Sequence, residues 1–446
     1  MNRSHYLLIL CACVCGLTAC APVSPPRDLE IGSQTVVKKE TKAETAVLAN
    51  SGPVEHIGSI TLPQAISLVL ARNRQLKAHA WGIRSADARQ VQARLRPNPE
   101  LDLSMEEFGG QGPRSGFDGV ETTVAVTQSI ETGGKRGKRS QVALLEKKLA
   151  QRDYELTRLS ILKQTHQAFA EVWGVQQRHT LTRDQVHLAE QLLKTVHQRV
   201  EAGKDPPSEA AKAEIVLAQA QINVQQADRD LADARRRLAL LWGASTAHFD
   251  RVDKPTDPND NLLSPAQLQQ QVKEHPQVQR CQNVLAIKRA QLALIKAEAK
   301  SNMSVTAGLK RLEQANDNTG VIGMAIPLPF FNRNQGAIAA AQYELAKAKE
   351  HHSLARAQLE SQLAQSTQRL DTAQAHASML KDTVLVNAET VFDAAEKRYK
   401  EGKSDYLELL DAQRTLFQTQ AQLLQAQTSV RLARADLAFA TGQFSQ

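Results

Sequence analysis

Long apolar runs are missing from this 446-residue chain: beyond its first residues, no stretch approaches the roughly eighteen consecutive apolar side chains that a membrane-spanning helix needs. That absence excludes a polytopic helical transporter, so any crossing of a bilayer has to be made by strands. Aromatic residues are also scarce, at 4%, and the net charge of +8 comes from Lys and Arg interleaved with Asp and Glu along helix faces. Such a surface is solvated and does not fit a nucleic-acid partner. Of five cysteines, Cys11, Cys13 and Cys15 lie in the leading apolar stretch, which leaves only Cys20 and Cys281 and no disulfide framework. No phosphate loop, zinc-protease helix or GxSxG-like elbow occurs, so the chain lacks a catalytic constellation and is not expected to be an enzyme. The twelve histidines are scattered, and the adjacent His351 and His352 point in different directions on a helix. Neither a metal site nor a cofactor is expected.

What the N-terminus does contain is a secretory pattern: Arg3, an apolar stretch from Tyr6 to Leu17, then small residues. It closes on Leu17-Thr18-Ala19-Cys20, which resembles the bacterial lipobox, where the cysteine is acylated and becomes the first mature residue. The expected layout is a lipoprotein signal peptide over 1–19 and a lipidated tether over 20–57, with a covalent lipid on Cys20. Ala21 follows, and not the aspartate that in such lipoproteins signals inner-membrane retention, so the resemblance implies outer-membrane sorting.

The rest of the chain repeats itself. At an offset of 199 residues, Arg199, Gly203, Lys204, Leu217 and Gly243 recur as Arg398, Gly402, Lys403, Leu416 and Gly442. Upstream the offset is 202, pairing Pro63 with Pro265 and Gln75 with Gln277. This gives repeat 1 over 58–243, a linker over 244–261, repeat 2 over 262–442 and a tail over 443–446. Each copy reads as a short helix, a medium helix, two strands, a very long helix, a sharp turn and a return helix. The long helices are expected from about Arg139 to Glu201 and Ala337 to Glu401, free of internal proline and each on the order of 95 Å long. Medium and return helices are expected near Asn73 to Leu95 and Ser208 to Trp242. No globular core needs a helix that long, whereas a rod or a tunnel wall does.

Between the helices, Leu101, Leu103 and Met105 alternate with Asp102, Ser104 and Glu106. Met303, Val305, Ala307 and Leu309 alternate with Ser304, Thr306, Gly308 and Lys310. Period two with one apolar face means strands, and partner strands near Val120 to Ile130 and Gly320 to Leu328 complete one hairpin per repeat. In an exported lipoprotein the pattern suits a barrel with lipid outside and water inside. Four strands leave open edges in lipid, so oligomerisation is required, and three chains give twelve strands and room for an aqueous lumen. A periplasmic coiled-coil scaffold explains the long helices but not the duplicated strands.

Two post-strand turns carry a family resemblance: Gln128-Ser129-Ile130-Glu131-Thr132-Gly133-Gly134-Lys135-Arg136 and Ile326-Pro327-Leu328-Pro329-Phe330-Phe331-Asn332-Arg333-Asn334-Gln335-Gly336. With the repeat order and lengths, they make the chain resemble the TolC-like outer-membrane factor family, and within it the CzcC-type subunits of heavy-metal RND efflux systems. The alternative within that resemblance is a multidrug-pump duct. The resemblance implies a mainly α fold with transmembrane β, in which a homotrimer forms a 12-stranded barrel above a long helical periplasmic tunnel. It implies docking to a periplasmic adaptor, the membrane fusion protein, and through it to an inner-membrane RND transporter. It also implies a gate at the helical tips. The matching positions are Glu209 in repeat 1 and Tyr399, Glu408 and Asp411 in repeat 2, while the family's closing basic residue is replaced by Ser404, with Lys403 as a possible substitute. Arg199, Gly203, Arg398 and Gly402 at the tips are the expected adaptor contacts, the glycines suiting helix C-termini that need a left-handed residue. Asp405 with Glu408 is expected to form a capping box on the return helix.

Overall fold

The computed structural model describes residues 57–255 and 271–444. The signal segment, Cys20 and most of the tether lie outside these residues, as does the end of the expected inter-repeat linker.

Repeat 1 opens with a short strand β1 (Gly58–Ile60), followed by α1 (Leu62–Arg72) and α2 (Arg74–Ala93). Thr61 caps α1 in a full capping box with Gln64, and Asn73 caps α2 by accepting from the Gln75 and Leu76 amides. Strands β2 (Glu100–Glu106) and β3 (Glu121–Ile130) lead into α3 (Lys135–Glu201), whose 67 residues span about 100 Å. The return helix is α4 (Pro207–Leu240). Strand β4 (Phe249–Val252) falls inside the segment read from sequence as a linker and pairs in parallel with β1. Four residues with one buried residue at each end, Phe249 and Val252, are too short for periodicity to reveal. Both ends pack into a core with Ile60, Leu68, Phe169, Trp173 and Trp242.

Repeat 2 contains α5 (Pro276–Glu298), β5 (Met303–Leu312), β6 (Asp317–Ala325) and α6 (Gln335–Met379), then α7 (Leu385–Lys400) and the return helix α8 (Tyr406–Thr441). Sequence predicts one unbroken helix from Ala337 to Glu401. The structure places a π-helical turn at Leu380–Val384 between α6 and α7. The reason lies in the apolar seam. Buried Leu363, Ser366, Leu370 and Leu380, with half-buried Ala377, follow a three-and-four spacing whose next member is Val384, yet Val384 is exposed. The lower seam restarts one residue later, at Leu385, Ala388, Phe392, Ala395 and Tyr399. The wide turn absorbs that one extra residue.

The four long strands form one antiparallel sheet in the order β2-β3-β5-β6, so the two repeats join through β3 and β5. Register sets Leu103 opposite Val124, Val124 opposite Leu309, and Ala307 opposite Ile322, giving one continuous apolar face. That face is bare: Leu103 is 71% and Ile322 88% exposed. The other face carries Asp102, Thr127 and Thr306, with Thr127 Oγ1 2.9 Å from Thr306 Oγ1, and Lys310 paired to Glu106 and Glu121. β2 and β6 are the free edges. Below the sheet, α3 packs on α2 and α5, and α5 on α6. Further down, α3 packs on α4 and α8, and α8 on α7. At each level repeat 1 supplies one edge of the layer and repeat 2 the other.

Candidate gate at the helical tips

Both hairpin tips close the same way. Gly203 and Gly402 sit at φ +68° and +73°, the left-handed region that an L side chain resists. The amides of Lys204 and Lys403 each donate to the carbonyl of the equivalent arginine, Arg199 or Arg398, at 2.9 Å. The return helices then start differently. Pro206 and Pro207 open α4 with no side-chain cap, whereas the Asp405 carboxylate accepts from the Glu408 amide at 3.0 Å to cap α8. Only half of the expected capping box forms, because the Glu408 side chain turns to Arg398 at 3.1 Å.

The two tips are bound to each other by a network centred on Asp205. Arg199 grips it with two hydrogen bonds, Nε to Oδ2 at 2.7 Å and Nη2 to Oδ1 at 2.9 Å. The same guanidinium reaches across to repeat 2, where Nη1 donates to the Tyr399 carbonyl at 2.8 Å and the group stacks 4.5 Å from the Tyr399 ring centre. The Tyr399 hydroxyl donates back to Asp205 Oδ2 at 2.7 Å. Tyr399 is 1% exposed and packs against the equally buried Tyr406. The hydrogen bond from Arg199 holds the Asp205 carboxyl below its usual range, and burial pushes the Tyr399 phenol up.

Glu209 completes the cluster without a partner for its buried Oε2. Burial, and then the Asp205 charge, raise its carboxyl above the ordinary value of 4.5. Lys212 and Arg199 pull it down and Asp405 raises it further.

Sequence reasoning gathered Glu209, Tyr399, Glu408 and Asp411 around one constriction. The structure splits them into two sets. Tyr399 and Glu209 lie inside the seam between the two tips, and Glu408 and Asp411 lie on an exposed face of α8. Of the expected adaptor contacts, Arg398 is exposed, but Arg199 is turned inward onto Asp205. Asp205 was missed. Its signal is a break in repeat symmetry, since the offset of 199 sets Asp205 against Ser404 and so removes the partner that would hold Arg398 as Arg199 is held. Among the described residues, no three His, Cys, Asp or Glu side chains come together as a metal-holding group. No described helix is long and apolar enough to cross a membrane.

At the sheet–helix junction, Gly133 and Gly134 supply the left-handed bend in repeat 1, at φ +68° and +70°. In repeat 2 the bend falls on Asn334, at φ +62°, whose side-chain amide donates to the Ile295 carbonyl at 3.1 Å. This turn also holds Pro327, Pro329 and Gly336, yet asparagine takes the left-handed position. Asparagine tolerates this conformation better than most residues.

Comparison with known proteins agrees with this architecture. The outer membrane efflux protein family matches residues 65–244 and 268–443, one segment per repeat. The chain is 33% identical over 372 residues to the cobalt-zinc-cadmium resistance protein CzcC of Cupriavidus metallidurans, covering 83% of this chain and 87% of the relative. It is 27% identical to the nickel-cobalt-cadmium resistance protein NccC of Alcaligenes xylosoxydans xylosoxydans, over 65% of each chain. A crystal structure of CusC superimposes with a TM-score of 0.75 at 17% identity, covering 90% of this chain and 96% of that one. The chain belongs to the outer membrane efflux protein family.

Proposed function

We propose that this chain is the outer-membrane exit duct of a tripartite efflux pump that exports heavy-metal cations. One observation carries the reading: a four-stranded sheet with a bare apolar face and a polar face runs directly into long helices, the longest about 100 Å. In water such a face is a liability, and in lipid it is the outer wall of a barrel. The free edges β2 and β6 require neighbours, because unpaired backbone groups are not tolerated in hydrocarbon. Repeat 1 forms one edge at every level and repeat 2 the other, which suits a head-to-tail ring. Three copies close twelve strands around a lumen that side chains do not fill.

In this reading the duct is passive. A periplasmic adaptor docks on the tips and links the duct to an inner-membrane RND transporter that supplies the energy. The metal cargo is supported by the resemblance to proteins named for cobalt, zinc, cadmium and nickel resistance. Cys20 carries the lipid anchor, and a Cys20→Ser variant that still takes up lipid label refutes this. The function is tested by detergent extraction followed by planar-bilayer recording. The duct predicts a heat-resistant trimer that conducts ions, whereas a water-soluble monomeric rod without conductance supports the scaffold alternative instead.

A further inference from the structure

The two ends of the sheet differ in how their cations are satisfied. At the end away from the helices, every cation is neutralised: Lys310 by Glu106 and Glu121, Arg114 by Glu107 at 2.9 Å, and Arg311 by Glu313 at 3.3 Å. At the end where the strands meet the helices, Arg94, Arg96, Arg136, Lys296, Lys300 and Arg333 are all exposed. Among the described residues none of these six has a carboxylate within salt-bridge distance. Glu131, the acid at the β3 exit, is already held by Arg139 at 2.6 Å. Glu100 and Glu298 remain, too few to balance the rest.

Chain connectivity puts these cations at one level. Arg94 and Arg96 precede β2, Arg136 follows β3, Lys296 and Lys300 precede β5, and Arg333 follows β6. Lys300 packs over the bend after β3, where a Cβ on Gly133 would come within 2.9 Å of its Cδ. At the same level, the turn after β6 exposes Leu328, Phe330 and Phe331, the last at 93%. These exposed apolar side chains follow directly in the chain from β6, at the helix end of the sheet. An apolar band that ends in aromatic side chains and unpaired cations has the chemistry of a boundary between hydrocarbon and anionic headgroups.

We propose that this collar binds the anionic phospholipids of the bilayer leaflet nearer the helices, Phe330 and Phe331 entering the acyl region and the six cations engaging headgroup phosphates. The proposal rests on the barrel reading above and adds lipid selectivity to it. A point charge at an anionic surface is worth about a fivefold preference, so several together discriminate strongly between charged and neutral lipid.

The test uses the full-length protein carrying Phe331→Trp, inserted into vesicles of phosphatidylcholine alone or mixed with phosphatidylglycerol, with insertion checked by ion conductance. Brominated acyl chains quench a tryptophan that touches lipid. The collar predicts stronger quenching by brominated phosphatidylglycerol than by brominated phosphatidylcholine, by about fivefold or more in relative affinity. The preference should fall with added salt. It should fall several-fold when Arg136, Lys300 and Arg333 are changed to Gln, and return with Lys or Arg in their place. Equal quenching by the two lipids overturns the selectivity. Absence of quenching in protein that has inserted means that a neighbouring copy covers the turn, and overturns the collar while leaving the barrel intact. Failure to insert into either vesicle overturns the barrel reading and the collar with it.

Discussion

Tyr399 and Asp205, 194 residues apart in the chain, meet at 2.7 Å and tie the tip of the second helical hairpin to the tip of the first. Arg199 reinforces the tie from the other side, holding Asp205 and the Tyr399 carbonyl at once. A hydrogen bond to a charged partner contributes about 1.5–3 kcal/mol. Tyr399→Phe should therefore loosen the tips by an amount in that range and raise the open probability of single channels. Arg199→Ala should do so more strongly, because it leaves the buried Asp205 carboxylate without its counter-charge. Unchanged gating in both variants would show that the tips are held elsewhere.

Glu209 and Asp205 give the same seam opposite responses to pH. Burial raises the Glu209 carboxyl above 4.5, so its stabilising, protonated form is fully present below that value and is lost as pH rises through the raised one. Asp205 is lowered below 3.8, chiefly by Arg199, so its contribution is present above 3.8 and is lost as pH falls through the lowered value. Both contributions are fully present only between pH 3.8 and 4.5, and above that range the Glu209 contribution declines as pH approaches its raised value. Glu209→Gln should extend that doubly stabilised state to neutral pH and flatten the upper limb of a plot of thermal midpoint against pH. Tyr406, Lys212, Asp405 and Arg199 remain in place in this variant, so a profile identical to that of the parent chain would remove Glu209 as the titrating group.

The sheet orientation is tested by paired substitutions on adjacent residues. Leu103 and Val305 lie on the bare apolar face, and Ser104 and Thr306 on the polar one. Leu103→Arg or Val305→Arg should cost about 2–4 kcal/mol near mid-membrane and depress assembly into heat-resistant oligomers. Ser104→Arg and Thr306→Arg should be milder. Equal defects in both pairs would contradict the orientation.

The exposed carboxylates Glu408 and Asp411 are the better candidates for the lumen at the tips, and threefold symmetry would repeat each as a ring of three. Neutralising both, as Glu408→Gln with Asp411→Asn, should reduce cation selectivity and weaken block by divalent ions from the periplasmic side. Glu408 also pairs with Arg398, so Arg398→Gln serves as a control in which only that pair is lost. Selectivity unchanged in the double variant would leave these residues as helix-terminal groups.

Much of this fold was legible because its signals are long. Helices without internal proline and strands with strict alternation leave periodic marks, and a duplicated chain writes each mark twice. The signals that escaped are short or cross the symmetry. Strand β4 carries only Phe249 and Val252 as buried ends, too little for a period to emerge. The π-helical turn was present as a one-residue slip between Leu380 and Leu385, visible only when the seam is followed residue by residue. At the tips, resemblance pointed to Glu209 and Tyr399 as gate residues but gave no sign of Asp205, which the tyrosine engages. Arg199 in the turn both positions Asp205 and keeps it ionised, and an ionised carboxylate is a strong acceptor that no spacing rule encodes.

The central claim is that this chain is a metal-exporting duct, and growth of a strain lacking it tests that most directly. The account predicts that deletion lowers tolerance to zinc, cobalt, cadmium or nickel, that the intact gene restores it, and that tolerance to organic drugs is unaffected. Sensitivity to organic drugs alone, or to neither class, would contradict it.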